Sequence, residues 1–188
     1  MSDRAPRRRN VRWRSLQGEG LEHLTILPGE SEIVIRGVVI GERDAVPYGV
    51  DYTIVCDQRW AVRELDLAAT TGMAFSLRSD GAGRWLNHDG RHLAEFDGCL
   101  DVDLAGTPFT NSLPIRRIDW AGNLAPVELK VLYVPFDNFV PVLDRQIYAC
   151  LEPGRRFRYM ATDRSVDVEL MVDRDGLVLD YPGRFERI

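Results

Sequence analysis

"GCLDVDLAGTPFTNSLPIRR", residues 98–117, changes its periodicity partway along. In its first part Leu100, Val102 and Leu104 fall on one face of a strand, and Asp101 and Asp103 on the other. After Gly106, Thr107 followed by Pro108 reads as an N-cap with proline at the first helical position, where the missing N–H is not needed. Pro114 is expected to stop that helix. The reading is a helix of about two turns, 108–113, between a strand ending near Leu104 and another starting near Ile115. Thr110, Asn111 and Ser112 are poor helix formers, so a helix this short does not survive alone in water. It needs walls around it.

The rest of the chain supplies walls. "SEIVIRGVVIGE" (31–42) and "YGVDYTIVCD" (48–57) are rich in β-branched and aromatic residues and alternate with period two. Val50, Tyr52, Ile54 and Cys56 share one face; Asp51, Thr53 and Asp57 share the other. "WAVRELDLA", "MAFSLRS", "VELKVLYV", "RQIYACL", "RFRYMA" and "VDVELMV" follow the same rule. Asp89-Gly90 and Asp175-Gly176 are expected in tight primed hairpin turns, and Pro153-Gly154 in a type II turn. Many short strands at this spacing predict a mainly β protein whose antiparallel sheet must curl or close around the short helix.

Bulk properties narrow the class. At 188 residues with 45% apolar and 28% charged side chains, the chain fits one domain. Residues 1–12 are expected to form a basic, flexible tail and residues 13–188 a single domain. The first fourteen residues carry six arginines and one aspartate, so the remainder is strongly acidic against an overall charge of −5. A basic face within the fold, the footprint of a nucleic-acid binder, is not expected. No apolar run approaches the ~20 residues of a membrane span, and no apolar stretch follows the basic N-terminus. The expected location is the cytoplasm. One lysine, Lys130, stands among many arginines, a skew that fits a GC-rich bacterial genome. Cys56, Cys99 and Cys150 are far apart and read as reduced, partly buried thiols.

The stretch 98–117 resembles the signature of the Putative glycolipid-binding family. "GLEHL" (20–24), "VDYTIVCDQRWAVRELDL" (50–67), "DGAGRW" (80–85), "VLYVPF" (131–136) and "DRQIYACL" (144–151) agree in order, so the resemblance covers nearly the whole chain after Trp13. It implies a spiral β-roll, a long curled antiparallel sheet wrapped around a single helix, and a homodimer. It also implies a lipid or glycolipid ligand.

Candidate residues carry several readings. Asp101 and Asp103 project about 7 Å apart on one strand face, within the spacing of an inverting glycosidase pair; they equally suit ion pairs with arginine. Of Arg116 and Arg117, which point to opposite faces if a strand begins at Ile115, one can meet the aspartates. The other, if it faces the interior, can fork onto a phosphate or carboxylate. Trp60 and Trp85 either stack on a ligand or fill the roll. Cys56 has no histidine tied to it by spacing, so a nucleophile is not expected there. His88 and His92 flank a turn without further zinc ligands, and no metal or cofactor is expected. The leading expectation is a non-catalytic module holding a lipid, glycolipid or other amphiphile inside the roll, touched by Asp101, Asp103, Thr107, Thr110, Asn111, Ser112, Arg116, Trp60 and Trp85. The alternatives are a compact dimeric roll acting through its surface, or a small hydrolase using Asp101 and Asp103.

Overall fold

The computed structural model describes residues 7–43, 45–122 and 125–188. The first half of the chain forms β1 (Arg9–Ser15), β2 (Leu21–Pro28), β3 (Glu32–Arg43), β4 (Val46–Asp57), β5 (Val62–Ala69), β6 (Ala74–Ser79) and β7 (Trp85–Asn87). The second half adds β8 (Asp101–Leu104), α1 (Ser112–Arg117), β9 (Val127–Val134), β10 (Val142–Glu152), β11 (Arg156–Ala161), β12 (Asp167–Val172), β13 (Val178–Tyr181) and β14 (Phe185–Arg187). All strands join one sheet in the order β7-β6-β5-β4-β3-β2-β1-β14-β13-β12-β11-β10-β9-β8. The first and last strands, β1 and β14, therefore meet mid-sheet, where Trp13 pairs with Arg187. Every neighbouring pair is antiparallel except β8 and β9.

This order forces curvature. The edge strands β7 and β8 are consecutive in the chain. In a flat sheet they would lie about 60 Å apart at ~4.8 Å per spacing, whereas the link from Asn87 to Asp101 reaches at most about 50 Å fully extended. The sheet rolls up instead, and its edges meet. Gly98 N–H donates to Gly83 O at 3.0 Å, Val62 N–H to Leu100 O at 3.2 Å, and the Trp85 indole N–H to Cys99 O at 2.8 Å. The expectation of a curled sheet around one helix is met.

The helix is longer than the sequence predicted. Pro108 is helical (φ −79°, ψ −7°), Phe109–Asn111 form a 3₁₀ turn, and α1 runs on to Arg117. Pro114, expected to end the helix, is the third residue of α1. It sits in the first turn, where its N–H would have had no partner. Ile115, Arg116 and Arg117 are therefore helical and begin no strand. Thr107 does cap the segment: its hydroxyl accepts from Phe109 N–H at 2.9 Å.

Two further details differ from the sequence reading. β1 starts at Arg9 and buries Val11, so ordered structure begins inside the segment expected as a tail; its first six residues lie outside the described residues. At both Asp-Gly turns only the glycine has positive φ, 77° at Gly90 and 73° at Gly176. Each N–H bonds three residues back, to Asn87 and Asp173. These are type I turns ending in a glycine bulge, not primed turns. Gly154, at +69°, fits the expected type II turn.

Two apolar clusters fill the roll. Val102, Leu104, Phe109 and Leu113 pack into the cluster formed by β1–β5 and their neighbours. Ile115 joins Trp120, Tyr148, Phe157, Tyr159, Leu170 and Tyr181 in the other. All four tryptophans are buried. β8 and the helical segment thus form a partition, apolar towards the first cluster and carrying Asp101 and Asp103 on its other face.

The seam is where the closed roll is most sensitive. A Cβ on Gly83 would fall 2.8 Å from the Gly98 backbone, and Gly83 has φ +93°, whereas Gly90 has φ +77° and open space around it. Gly90→Ala is expected to cost about 1–2 kcal/mol through backbone strain alone, and Gly83→Ala roughly twice that. Thermal unfolding of the two variants checks this: Gly83→Ala should lower Tm clearly further.

Candidate functional site

One end of the roll carries two adjoining cavities. The larger, about 470 Å³, is lined by Val46, Pro47, Tyr48, Ala69, Met73 and Phe136, with Glu42, Arg43 and Asp137 among its polar groups. The smaller, about 310 Å³, is lined by Asp103, Thr107, Asn111, Tyr133, Asp144, Tyr159, Asp163, Ser165 and Tyr181. The first is mostly apolar; the second is rich in carboxylates and hydroxyls. They share Ala105, Arg184 and Phe185. Phe185 ends an aromatic chain with Tyr181, Tyr159 and Tyr148, ring centroids 5.2–6.2 Å apart. The Arg184 guanidinium lies over the Tyr181 ring at 5.7 Å.

The carboxylates expected to act as a pair are separated by their partners. Asp101 is buried and gripped by Arg117, with Nε donating to Oδ1 at 3.1 Å and Nη2 to Oδ2 at 2.5 Å. Burial raises its pKa, while the Arg117 hydrogen bonds and charge pull it back. Asp103 accepts from Thr110 Oγ1 at 2.7 Å and from Gln146 Nε2 at 2.7 Å. Burial pushes its pKa up to about 6 against those two hydrogen bonds. Gln146 also donates to Asp144 at 3.1 Å and so bridges two acidic groups. Asp103 lines the smaller cavity; Asp101 lines neither.

The other sequence-nominated residues divide in the same way. Thr107 and Asn111 reach the smaller cavity, and Asn111 donates to the Tyr148 hydroxyl at 2.8 Å. Thr110 supports Asp103 from behind. Ser112 accepts from Val178 N–H at 3.4 Å and ties the helix to β13. Arg116 stacks over Trp60, its guanidinium carbon 4.0 Å from the ring centroid. Trp60 lies just beyond the far end of β4 from Val46, about 35 Å of strand away. Trp85 is buried against the seam. Trp60, Trp85, Thr110, Ser112 and Arg116 line neither cavity. Cys56 is buried, and burial pushes its thiol pKa up, followed by the charges of Asp101 and Asp57; such a thiol is a poor nucleophile.

Sequence reasoning passed over Glu22. Its neighbours on the inward face of β2 are Leu24 and Ile26, so the period-two pattern itself marks a carboxyl on an apolar face. Glu22 Oε1 accepts from the Tyr52 hydroxyl at 2.5 Å and from the Thr107 hydroxyl at 2.8 Å. Oε2 is buried with no partner among the described residues. Burial raises its pKa to about 7, against the lowering effect of both hydrogen bonds. Missed too were Arg43, Tyr48, Phe136, Arg184 and Phe185, which are far apart in sequence and converge only when the roll closes.

Glu22 links stability to pH. Its folded pKa lies above its ordinary value of 4.5, so its contribution is full below pH 4.5 and is lost as pH rises through about 7. Glu22→Gln should flatten this slope: between pH 5 and pH 8 it should lose about 2–3 kcal/mol less stability than the parent chain. Urea denaturation at both pH values measures it, and Asp103, common to both proteins, cancels.

Residues 10–187 match the family described as "Putative glycolipid-binding". The chain is also similar to a solved structure, that of a DUF1089 family protein from Pseudomonas aeruginosa. The two are 34% identical with a TM-score of 0.76, over 89% of this chain and 92% of that one. A comparison with curated proteins finds no match.

Proposed function

The chain belongs to the Putative glycolipid-binding family, and from that premise we propose that it is a non-catalytic binding protein for an amphiphile bearing a hydroxyl-rich head. The apolar part of the ligand occupies the larger cavity and the head occupies the smaller. The observation that carries this reading is the pairing of two cavities of opposite character at one end of the roll, joined along Ala105, Arg184 and Phe185. A mostly apolar pocket with a few placed polar groups is the usual form of a small-molecule site. The carboxylates and tyrosines of the smaller cavity suit hydroxyl donors and the faces of a sugar ring. Arg184, on the shared border, suits an anionic group at the head–tail junction. A two-carboxylate hydrolase is disfavoured, because Asp101 is fully occupied by Arg117 and reaches neither cavity.

Titration with monomeric dodecyl maltoside and dodecanoate, followed by calorimetry, tests the proposal. Both should bind the parent chain. Ala105→Trp, which fills the shared border, should weaken both at least tenfold while circular dichroism is unchanged. Asp163→Ala should weaken the maltoside selectively. Failure of both probes to bind the parent chain overturns the proposal.

A second reading rests on a separate observation. Leu21, Val38, Ile40 and Val46 are exposed on the outer face or end of β2–β4, an apolar area that suits a homodimer acting through its surface. Light scattering should then show a dimer in the parent chain and a monomer in Ile40→Arg. A monomeric parent chain overturns it.

A further inference from the structure

Beside the larger cavity lies a void of about 10 Å³, bordered also by the exposed Leu21 and Ile40 and close to the space that one water-sized sphere occupies. Void and cavity share Ser15, Tyr48, Gly106 and Phe185. Glu22 lines the void, and its Oε2 is buried without a partner among the described residues. A buried acceptor or donor left unmatched is costly whichever protonation state it adopts.

The surroundings keep this spot open. Tyr52 lies opposite Gly37, and Tyr48 opposite Gly41, in the β3–β4 register. A Cβ on Gly37 would fall 2.3 Å from the Tyr52 ring, and one on Gly41 2.6 Å from the Tyr48 hydroxyl. A Cβ on Gly106 would fall 2.5 Å from Phe136 and 3.1 Å from the Tyr48 hydroxyl. None of the three glycines has positive φ, so close approach, not backbone conformation, requires them. Their missing side chains let the two tyrosines lie across β3 beside Glu22. Gly106 and Tyr48 border both the void and the cavity, so the two spaces adjoin there.

We infer that the void is the terminal subsite of the larger cavity, where Glu22 Oε2 hydrogen-bonds a hydroxyl at the far end of the ligand's apolar chain, as in an ω-hydroxy fatty acid or a long-chain diol. Size and charge narrow the choice. One heavy atom fits, so a sugar ring or a carboxylate does not. A methyl group would fit but leave Oε2 unmatched. An alcohol both donates and accepts, and so satisfies the carboxyl in either protonation state. The inference rests on the cavity holding an amphiphile as proposed above.

Dodecanoate and 12-hydroxydodecanoate differ at this one position. Calorimetry on the full chain should give the hydroxy acid an affinity roughly tenfold or more above that of dodecanoate. Infrared difference spectra supply a readout that needs no destabilised variant. The carbonyl band of the buried Glu22 carboxyl, assigned by its loss in Glu22→Gln, should shift with the hydroxy acid and not with dodecanoate. Equal affinities overturn the inference while leaving the amphiphile reading intact. A preference without a band shift places the hydroxyl elsewhere and also overturns it. If neither fatty acid binds, this inference falls, and the amphiphile reading falls with it only if dodecyl maltoside also fails to bind.

Discussion

The link between the two edge strands sets everything else. β7 and β8 stand at opposite edges of a 14-stranded sheet yet are consecutive in the chain, and the chain between them cannot span a flat sheet. Rolling is therefore a geometric necessity, and it also protects both edges from pairing with another chain. The glycine pair at positions 83 and 98 permits the close approach, and indole and backbone hydrogen bonds hold it. Beyond β8 the chain has nowhere to go but inward. A helical segment with poor intrinsic propensity is stable there because its residues from Phe109 to Ile115 are buried, and packing supplies what propensity does not.

Enclosure makes polar pairing strict. Asp101, Asp103, Thr107, Thr110, Asn111 and Ser112 enter the interior with the partition, and each must find a partner there. Arg117, Gln146, Tyr148, Glu22 and the Val178 backbone provide them. Most of the polar character of 98–117 is therefore the consequence of placing a β–helix junction inside a sheet. At the far end Arg116 makes a second tie. Its guanidinium lies over Trp60, and a Cβ on Gly176 would fall 3.0 Å from its Cγ, so one arginine side chain is packed between turns from the two halves of the sheet. Trp60 itself has φ +67°, a left-handed conformation costly for a bulky residue. Asp57 stabilises that turn by accepting from Arg59 and Ala61 N–H groups.

The fold was legible because period-two patterning survives rolling. Val50, Tyr52, Ile54 and Cys56 all face inward as their alternation indicates. The helix end was not legible, because proline is a breaker only after the first turn, and whether 114 falls in that turn depends on where the 3₁₀ segment gives way to α1. The site was legible only in part. Asp103, Thr107 and Asn111 were nominated from their neighbourhood in sequence and do line a cavity. Trp60 and Arg116 came from the same reasoning but sit at the other end of the roll. Sequence proximity to the helix says nothing about which end a residue reaches, since one strand of β4's length carries its two ends about 35 Å apart.

Among the described residues this matching leaves out one oxygen of Glu22, along with the Nε atoms of Arg9, Arg116 and Arg187. Tying Thr107 and Tyr52 together uses one oxygen of the Glu22 carboxyl, a task that an amide oxygen in glutamine would perform without the penalty of burying an ionisable group. The second oxygen is therefore the part with no structural account. It lies where Gly37, Gly41 and Gly106 forgo side chains to let Tyr52, Tyr48 and Phe136 approach, and where a void the size of one water borders the larger cavity. Several local choices that each cost stability converge on one point beside a ligand-sized space, and buried groups that a fold does not itself require are where function is best sought.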